Sequence, residues 1–195
     1  MILAGTGPAG GAGIDEVTSI TFRDMTKGAL TLRHPEYYLF FTGTSNGRSA
    51  ARDFLRRLKE RTENRDTPVS IPAFITQLKA IRAWAHQTPD DLSRIRHPVL
   101  VANGDHDKMV PSSNSVDLAR RLPNAELVLY DDAGHGGIFQ YHEAFVKKAL
   151  EFLEFRRRIR SHVTQFLHSC IGICRPGGDV HDSGIQDDRP GTGTV

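Results

Sequence analysis

Two loops in this sequence hold residues that could do acid–base chemistry together. One is Gly104-Asp105-His106-Asp107-Lys108-Met109-Val110-Pro111, and the other is Asp131-Asp132-Ala133-Gly134-His135-Gly136-Gly137. A carboxylate that accepts a hydrogen bond from imidazole Nδ1–H fixes the tautomer and stabilises the imidazolium. The other ring nitrogen is then free to act as a general base. Asp107 and His135 are the pair that would do this. The glycines beside His135 let its loop bend tightly and leave room for the ring. The plainer alternative is an aspartate that holds a turn and a histidine that faces solvent.

Each loop follows a short apolar run. Val99–Asn103 and Glu126–Tyr130 read as strands, and the stretch after Ser112 or Ser113, either of which can cap it, reads as a helix with Leu118, Ala119 and Leu122 inward. A last helix, about 141–157, would bury Phe145, Ala149, Phe152 and Leu153. Residues 96–157 thus alternate strand, loop, helix, as a parallel α/β sheet does. Loops at the C-terminal ends of adjacent parallel strands lie side by side, where open α/β sheets place their chemistry. Residues 1–12 read as the end of an apolar strand running into a Gly/Pro turn.

Residues 13–95 read as mostly helical. Ala51, Phe54, Leu55 and Leu58 share one helical face, with Arg48, Arg52, Arg56, Arg57, Lys59 and Arg61 around it. Asp53–Arg57 and Arg56–Glu60 have the spacing of helical ion pairs. The basic residues could meet an anionic ligand or simply form a solvated face. Phe74, Leu78, Ile81 and Ala85 make a second apolar face, with Trp84 and His86 near its end as packing residues or a pocket wall.

The 195 residues are 38% hydrophobic and 25% charged, enough for one domain with a sizeable core and a short appendage. The net charge of +2 argues against nucleic-acid binding driven by a basic surface. No apolar run approaches the roughly 18 residues of a membrane span, and no signal peptide is evident. With only Cys170 and Cys174, a reducing cytoplasm is the expected compartment. His162, His168 and His181 lie near these cysteines, but the spacing matches no strong zinc pattern. Residues 176–195 have little to bury and read as disordered.

Residues 98–153 closely resemble the C-terminal part of the α/β-hydrolase fold family. In that family a strand ends in G-x-x-D, often followed by Val-Pro, as in Gly104-Asp105-His106-Asp107 and Val110-Pro111 here. A later strand leads to Gly-His, here Gly134-His135. Residues 2–12, ILAGTGPAGG and one more, resemble the strand that follows the family's nucleophile helix. The resemblance implies a nucleophile–His–Asp triad with His135 as base and Asp107 as acid, Asp105 being the fallback acid. It implies a helical lid at 13–95 and no metal or organic cofactor.

The expected fold is therefore α/β: a partial α/β-hydrolase fold, with a core strand and turn at 1–12, a lid at 13–95, a C-terminal core at 96–157 and a tail at 158–195. The family's nucleophile sits in G-x-S-x-G between a strand and a helix. If residues 2–12 follow that helix, the nucleophile lies upstream of Met1. A rival stands inside the chain. Gly43-Thr44-Ser45-Asn46-Gly47 matches the pattern, follows the apolar Tyr37–Phe41, and puts Ser45, Asp107 and His135 in the right order. No core strand is evident between Ser45 and residue 96, so Tyr37–Arg48 reads better as lid.

The expected activity is hydrolysis of a small ester-like substrate. A dehalogenase, C–C hydrolase or cofactor-free peroxidase on the same fold is an alternative. A further one is an inactive remnant or partner-binding fragment. The expected partner is a small-molecule substrate, with neither nucleic acid nor membrane. An exposed sheet edge would favour self-association.

Overall fold

The computed structural model describes residues 1–60, 62, 63, 65 and 67–154. Met1–Leu153 form one compact unit, and a second unit begins at Glu154. Cys170, Cys174, their neighbouring histidines and the expected tail lie outside the described residues.

Three parallel strands form the sheet: β1 (Ile2–Ala4), β2 (Val99–Gly104) and β3 (Ala125–Tyr130), in the order β1-β2-β3. Leu3 pairs with Val101, and Val101 with Leu127. Every residue of β2 is buried, as expected for a strand flanked on both edges and covered on both faces. Successive side chains of β2 serve opposite layers. Val99 and Val101 pack with Leu118 and Leu122, on the side of the helix at Ser113–Arg121. Ala102 packs with Tyr130 and Ala133, backed by Ile138, Tyr141 and Phe145.

The segment between β1 and β2 is helical: α1 (Val17–Thr31), α2 (Glu36–Leu39), α3 (Ser45–Glu60) and α4 (Ile71–Ala85). The helices of the second half follow as α5 (Ser113–Arg121) and α6 (Gly137–Gln140), and residues 142–153 are also helical. Two apolar clusters hold the helical segment. Tyr37 and Phe41 pack with Ala51 and Phe54 of α3. Ile14 and Val17 pack with Leu78 of α4, joined by Met109 and Val110 from the loop after β2. The second cluster ties the helices to the loop that carries Asp107. Among the described residues no helix is long and apolar enough to cross a membrane.

Several local expectations need correction. The last helix begins at 142, as expected, and runs to the end of the described residues, but a short helix not expected from the sequence, α6, precedes it and ends at Gln140. Phe152 is buried on the last helix, but Leu153 is half exposed, as is Leu58 on α3. Arg57 does not pair with Asp53; its Nη2 donates to the Phe139 carbonyl at 3.0 Å. Ser112 does not cap α5 through its side chain. Its hydroxyl instead donates to the Gly104 carbonyl at 2.6 Å, because the chain must turn sharply after β2.

A buried ion pair joins the two halves of this unit. Asp24 on α1 has a side chain only 4% exposed and receives the ammonium of Lys108, the residue after Asp107; Lys108 is 39% exposed. Asp24 also holds Arg23 Nε at 3.4 Å, so removing Lys108 leaves the buried carboxylate with one long, exposed partner, whereas removing Asp24 leaves an ammonium that can reach water. Lys108→Met is expected to cost about 2–4 kcal/mol, and Asp24→Asn less. Urea unfolding midpoints at unchanged slope check this order.

Candidate active site

The loop after β2 folds around one carboxylate. The Asp107 side chain is fully buried. Its Oδ1 accepts from the backbone N–H groups of Met109 at 2.8 Å and Val110 at 3.0 Å. This turns the carboxyl group so that Oδ2 faces His135 Nδ1 at 2.9 Å. A polar network behind the loop keeps it in place. Buried Asn103 accepts from Gly104 N–H at 2.8 Å and donates to Ser115 Oγ at 3.2 Å. Ser112 Oγ also accepts from Asp107 N–H at 3.3 Å. Asn114 Nδ2 donates across to the Ala12 carbonyl at 2.9 Å, fastening the loop after β1 to the same place.

His135 arrives on the loop after β3, and parallel pairing of β2 with β3 sets the two loops side by side. Its side chain is 23% exposed. Phe40, just past α2, stacks obliquely on the imidazole at 5.6 Å between ring centres, and its carbonyl accepts from Gly136 N–H at 2.8 Å. Gly5, just past β1, has φ +56°, and a Cβ there would lie 3.2 Å from His135 Cε1. Nδ1 is held by the carboxylate, so Nε2 is the nitrogen left for chemistry. The ring borders a cavity of about 220 Å³ walled by Ile14, Val17, Ile81, Trp84, Met109 and Val110. Trp84 Nε1–H donates to the Gly7 carbonyl at 3.2 Å, so α4 closes this wall against the loop after β1.

Asp105 points elsewhere. Its Oδ1 meets His106 Nδ1 at 2.6 Å and accepts from Ala133 N–H at 3.2 Å. Burial pushes the Asp105 carboxyl up, but the bonds from His106 and Ala133 outweigh it and hold the group below the usual carboxylate value. The same contact raises the exposed His106 ring above its ordinary value.

Ser45 is the exposed first residue of α3, with helix α2 rather than a strand before it. The surrounding Gly-Thr-Ser-Asn-Gly has another structural task. Asp132 accepts from Thr44 Oγ1 at 2.7 Å, Thr42 Oγ1 at 2.9 Å and Asn46 Nδ2 at 3.1 Å. Asp132 itself has φ +47°. Gly47 is required because a Cβ there would lie 2.1 Å from Thr42 Oγ1. The pattern is thus a latch between α3 and the loop that carries His135. Those hydrogen bonds, Thr44's foremost, keep the Asp132 carboxyl below its usual range.

Reading the sequence did not identify Gly5, Phe40 or Lys108 as neighbours of the site. A glycine immediately after a strand was the available signal for Gly5. The other two depend on contacts distant in sequence. Among the described residues there is no cluster of three or more His, Cys, Asp or Glu that could hold a metal ion.

Comparison with known proteins gives a consistent picture. The family model described as alpha/beta hydrolase fold matches residues 22–140. A relative from Rhizobium rhizogenes, named as the carbamate hydrolase RutD, is 38% identical over 86 residues, which are 44% of this chain and 32% of that protein. A 2-hydroxy-6-oxononadienedioate/2-hydroxy-6-oxononatrienedioate hydrolase from Burkholderia vietnamiensis is 35% identical over 79 residues, 39% of this chain and 27% of that one. The solved alpha/beta hydrolase fold protein from Chitinophaga pinensis is 36% identical with a TM-score of 0.72, over 78% of this chain and 55% of that one. The chain therefore spans about half the length of that solved relative.

Two outcomes are expected from this geometry. The His106 imidazolium contact contributes fully below pH 6.5 and is lost as pH rises through the raised His106 value. The Asp105 contribution is full above pH 3.8 and is lost as pH falls through the lowered carboxyl value. An NMR titration should put the His106 midpoint above 6.5, and Asp105→Asn should return it toward 6.5. Gly5→Ala is expected to cost about 1–2 kcal/mol from left-handed strain and to shift the His135 ring resonances. Gly43→Ala, with nothing within 4 Å of the new Cβ, should leave those resonances unchanged.

Proposed function

Because the chain belongs to the α/β-hydrolase fold family, we propose that it supplies the lid and the acid–base half of a hydrolase acting on a small ester-like substrate. The observation that carries this reading is the 2.9 Å contact between buried Asp107 and His135 beside an apolar cavity. Asp107 orients the imidazole and stabilises it when protonated. His135 Nε2 takes the proton from a nucleophilic hydroxyl as that oxygen attacks the substrate carbonyl. It returns the proton to the leaving group, then activates water to release the acyl group. No step calls on a metal or organic cofactor.

The nucleophile in this reading is a serine outside the chain, on a strand next to β1. Two features support that placement. Among the described residues β1 is paired on one edge only, and Gly5 at its end abuts the His135 ring. Ser45 is disfavoured because Thr42, Thr44 and Asn46 around it are committed to Asp132. The residues at 13–95 act as the lid. Their Ile14, Val17, Ile81 and Trp84 give the cavity an apolar wall, which suits a compact uncharged acyl group.

The test combines two experiments. The DNA upstream of Met1 should continue in frame through strand, G-x-S-x-G and helix. The enzyme expressed from that frame should hydrolyse p-nitrophenyl butyrate, and Asp107→Asn or His135→Ala should lower kcat by about a thousandfold or more. The present chain treated with a fluorophosphonate should carry no adduct on Ser45. A His135-dependent adduct there would move the nucleophile to Ser45. Neither an upstream frame nor an adduct would make the chain a catalytically inactive remnant.

A further inference from the structure

A second concavity lies on the helical segment and shares no lining residue with the cavity at His135. It has a volume of about 550 Å³, within the range of small-molecule sites. Four strong cations line it: Arg33 from the turn after α1, and Arg52, Arg56 and Lys59 from α3. Its apolar lining includes buried Tyr37 and half-buried Leu55. Among the described residues no carboxylate lines it.

The neighbouring acids neutralise little of this charge. Glu60 and Asp53 both engage Arg56, at 2.6 and 3.8 Å. Glu36 faces His34, also at the groove, at 3.6 Å. Among the described residues Arg33, Arg52 and Lys59 have no carboxylate partner. Other arginines of α3 are occupied differently, since Arg48 and Arg57 donate to the carbonyls of Gly43 and Phe139. Grouping like charges around one concavity is unfavourable unless a counter-charge relieves it. The Arg33 guanidinium lies 4.7 Å from the centre of the Tyr37 ring, which orients it there. Leu32 has φ +54° and is 95% exposed, a conformation that costs a leucine about 1–2 kcal/mol. That strained turn puts an apolar side chain on the rim directly before Arg33.

We propose that this groove binds a small amphipathic anion: an aromatic or short acyl body bearing a phosphate or carboxylate. The body lies against Tyr37, Leu55 and Leu32. The anionic group sits among Arg33, Arg52 and Lys59, where the arginines can offer paired N–H donors to two of its oxygens. Its lining residues are distinct from those of the cavity at His135, so the assignment does not rest on where the nucleophile lies.

Isothermal titration of this chain with 1-naphthyl phosphate, 1-naphthol and inorganic phosphate tests the proposal. The combined molecule should bind at least tenfold tighter than either part. Arg52→Gln and Lys59→Gln, both on the exposed side of α3, should each weaken it several-fold without changing the melting temperature. Amide NMR shifts should concentrate at 32–37 and 52–59. Equal affinity for 1-naphthol would mean apolar adsorption and overturn the proposal. So would undetectable binding of 1-naphthyl phosphate, affinity indifferent to both variants, or shifts centred on His135. If either variant alters the melting temperature, Arg33→Lys replaces it, retaining charge while losing the paired donors; unchanged affinity there, together with salt-insensitive binding, would also overturn the assignment.

Discussion

A carboxylate with no access to water must have its charge balanced within the protein, and Asp107 imposes that requirement on everything around it. Burying such a group without partners would cost several kcal/mol or force it to take up a proton. Its own loop provides two N–H donors to one oxygen, and His135 meets the other. The loop can offer those donors only if it turns tightly after β2. That turn is set by Asn103, Ser112 and Ser115. His135 can reach the remaining oxygen only if β3 runs parallel to β2 and ends level with it, as the pairing of Gly104 with Tyr130 provides. The sheet register and the buried polar residues thus serve one constraint.

The helical segment is bound to the same place from three directions. Lys108 reaches Asp24 on α1, Trp84 on α4 bonds to Gly7, and Phe40 holds the loop around His135. Each contact ends within a few residues of Asp107, His135 or the end of β1. The helices therefore do more than cover the sheet: they fix the loops that bring Asp107 and His135 together.

Much of this was legible from residue order. Strands β2 and β3 were visible as apolar runs, and the loops carrying Asp107 and His135 were visible as Gly- and Asp-rich breaks after them. The apolar face of α4 appeared at the right spacing, with Leu78 at its centre. What escaped the sequence reading depends on contacts between distant residues. Nothing local says that Arg57 will prefer a carbonyl 82 residues away to Asp53 four residues before it. Ser112 looks like a helix cap, but the carbonyl of Gly104 is the stronger claim on its hydroxyl. Gly-Thr-Ser-Asn-Gly shows the same limit more sharply. Small residues and hydroxyls suit a nucleophile turn, and they equally suit three side chains converging on one aspartate. Asp132, 86 to 90 residues downstream, makes the difference.

Helix α2 is a single turn, about 6 Å long. Tyr37 on it faces the basic groove, and Phe40 at its end rests on the His135 imidazole. A strut this short has little capacity to absorb displacement within itself. If an anion in the groove and a ligand at His135 each favour one position of α2, each changes the other's affinity by the same factor, since coupling between two binding equilibria is reciprocal. The two sites would then form one thermodynamic circuit, closed through four residues.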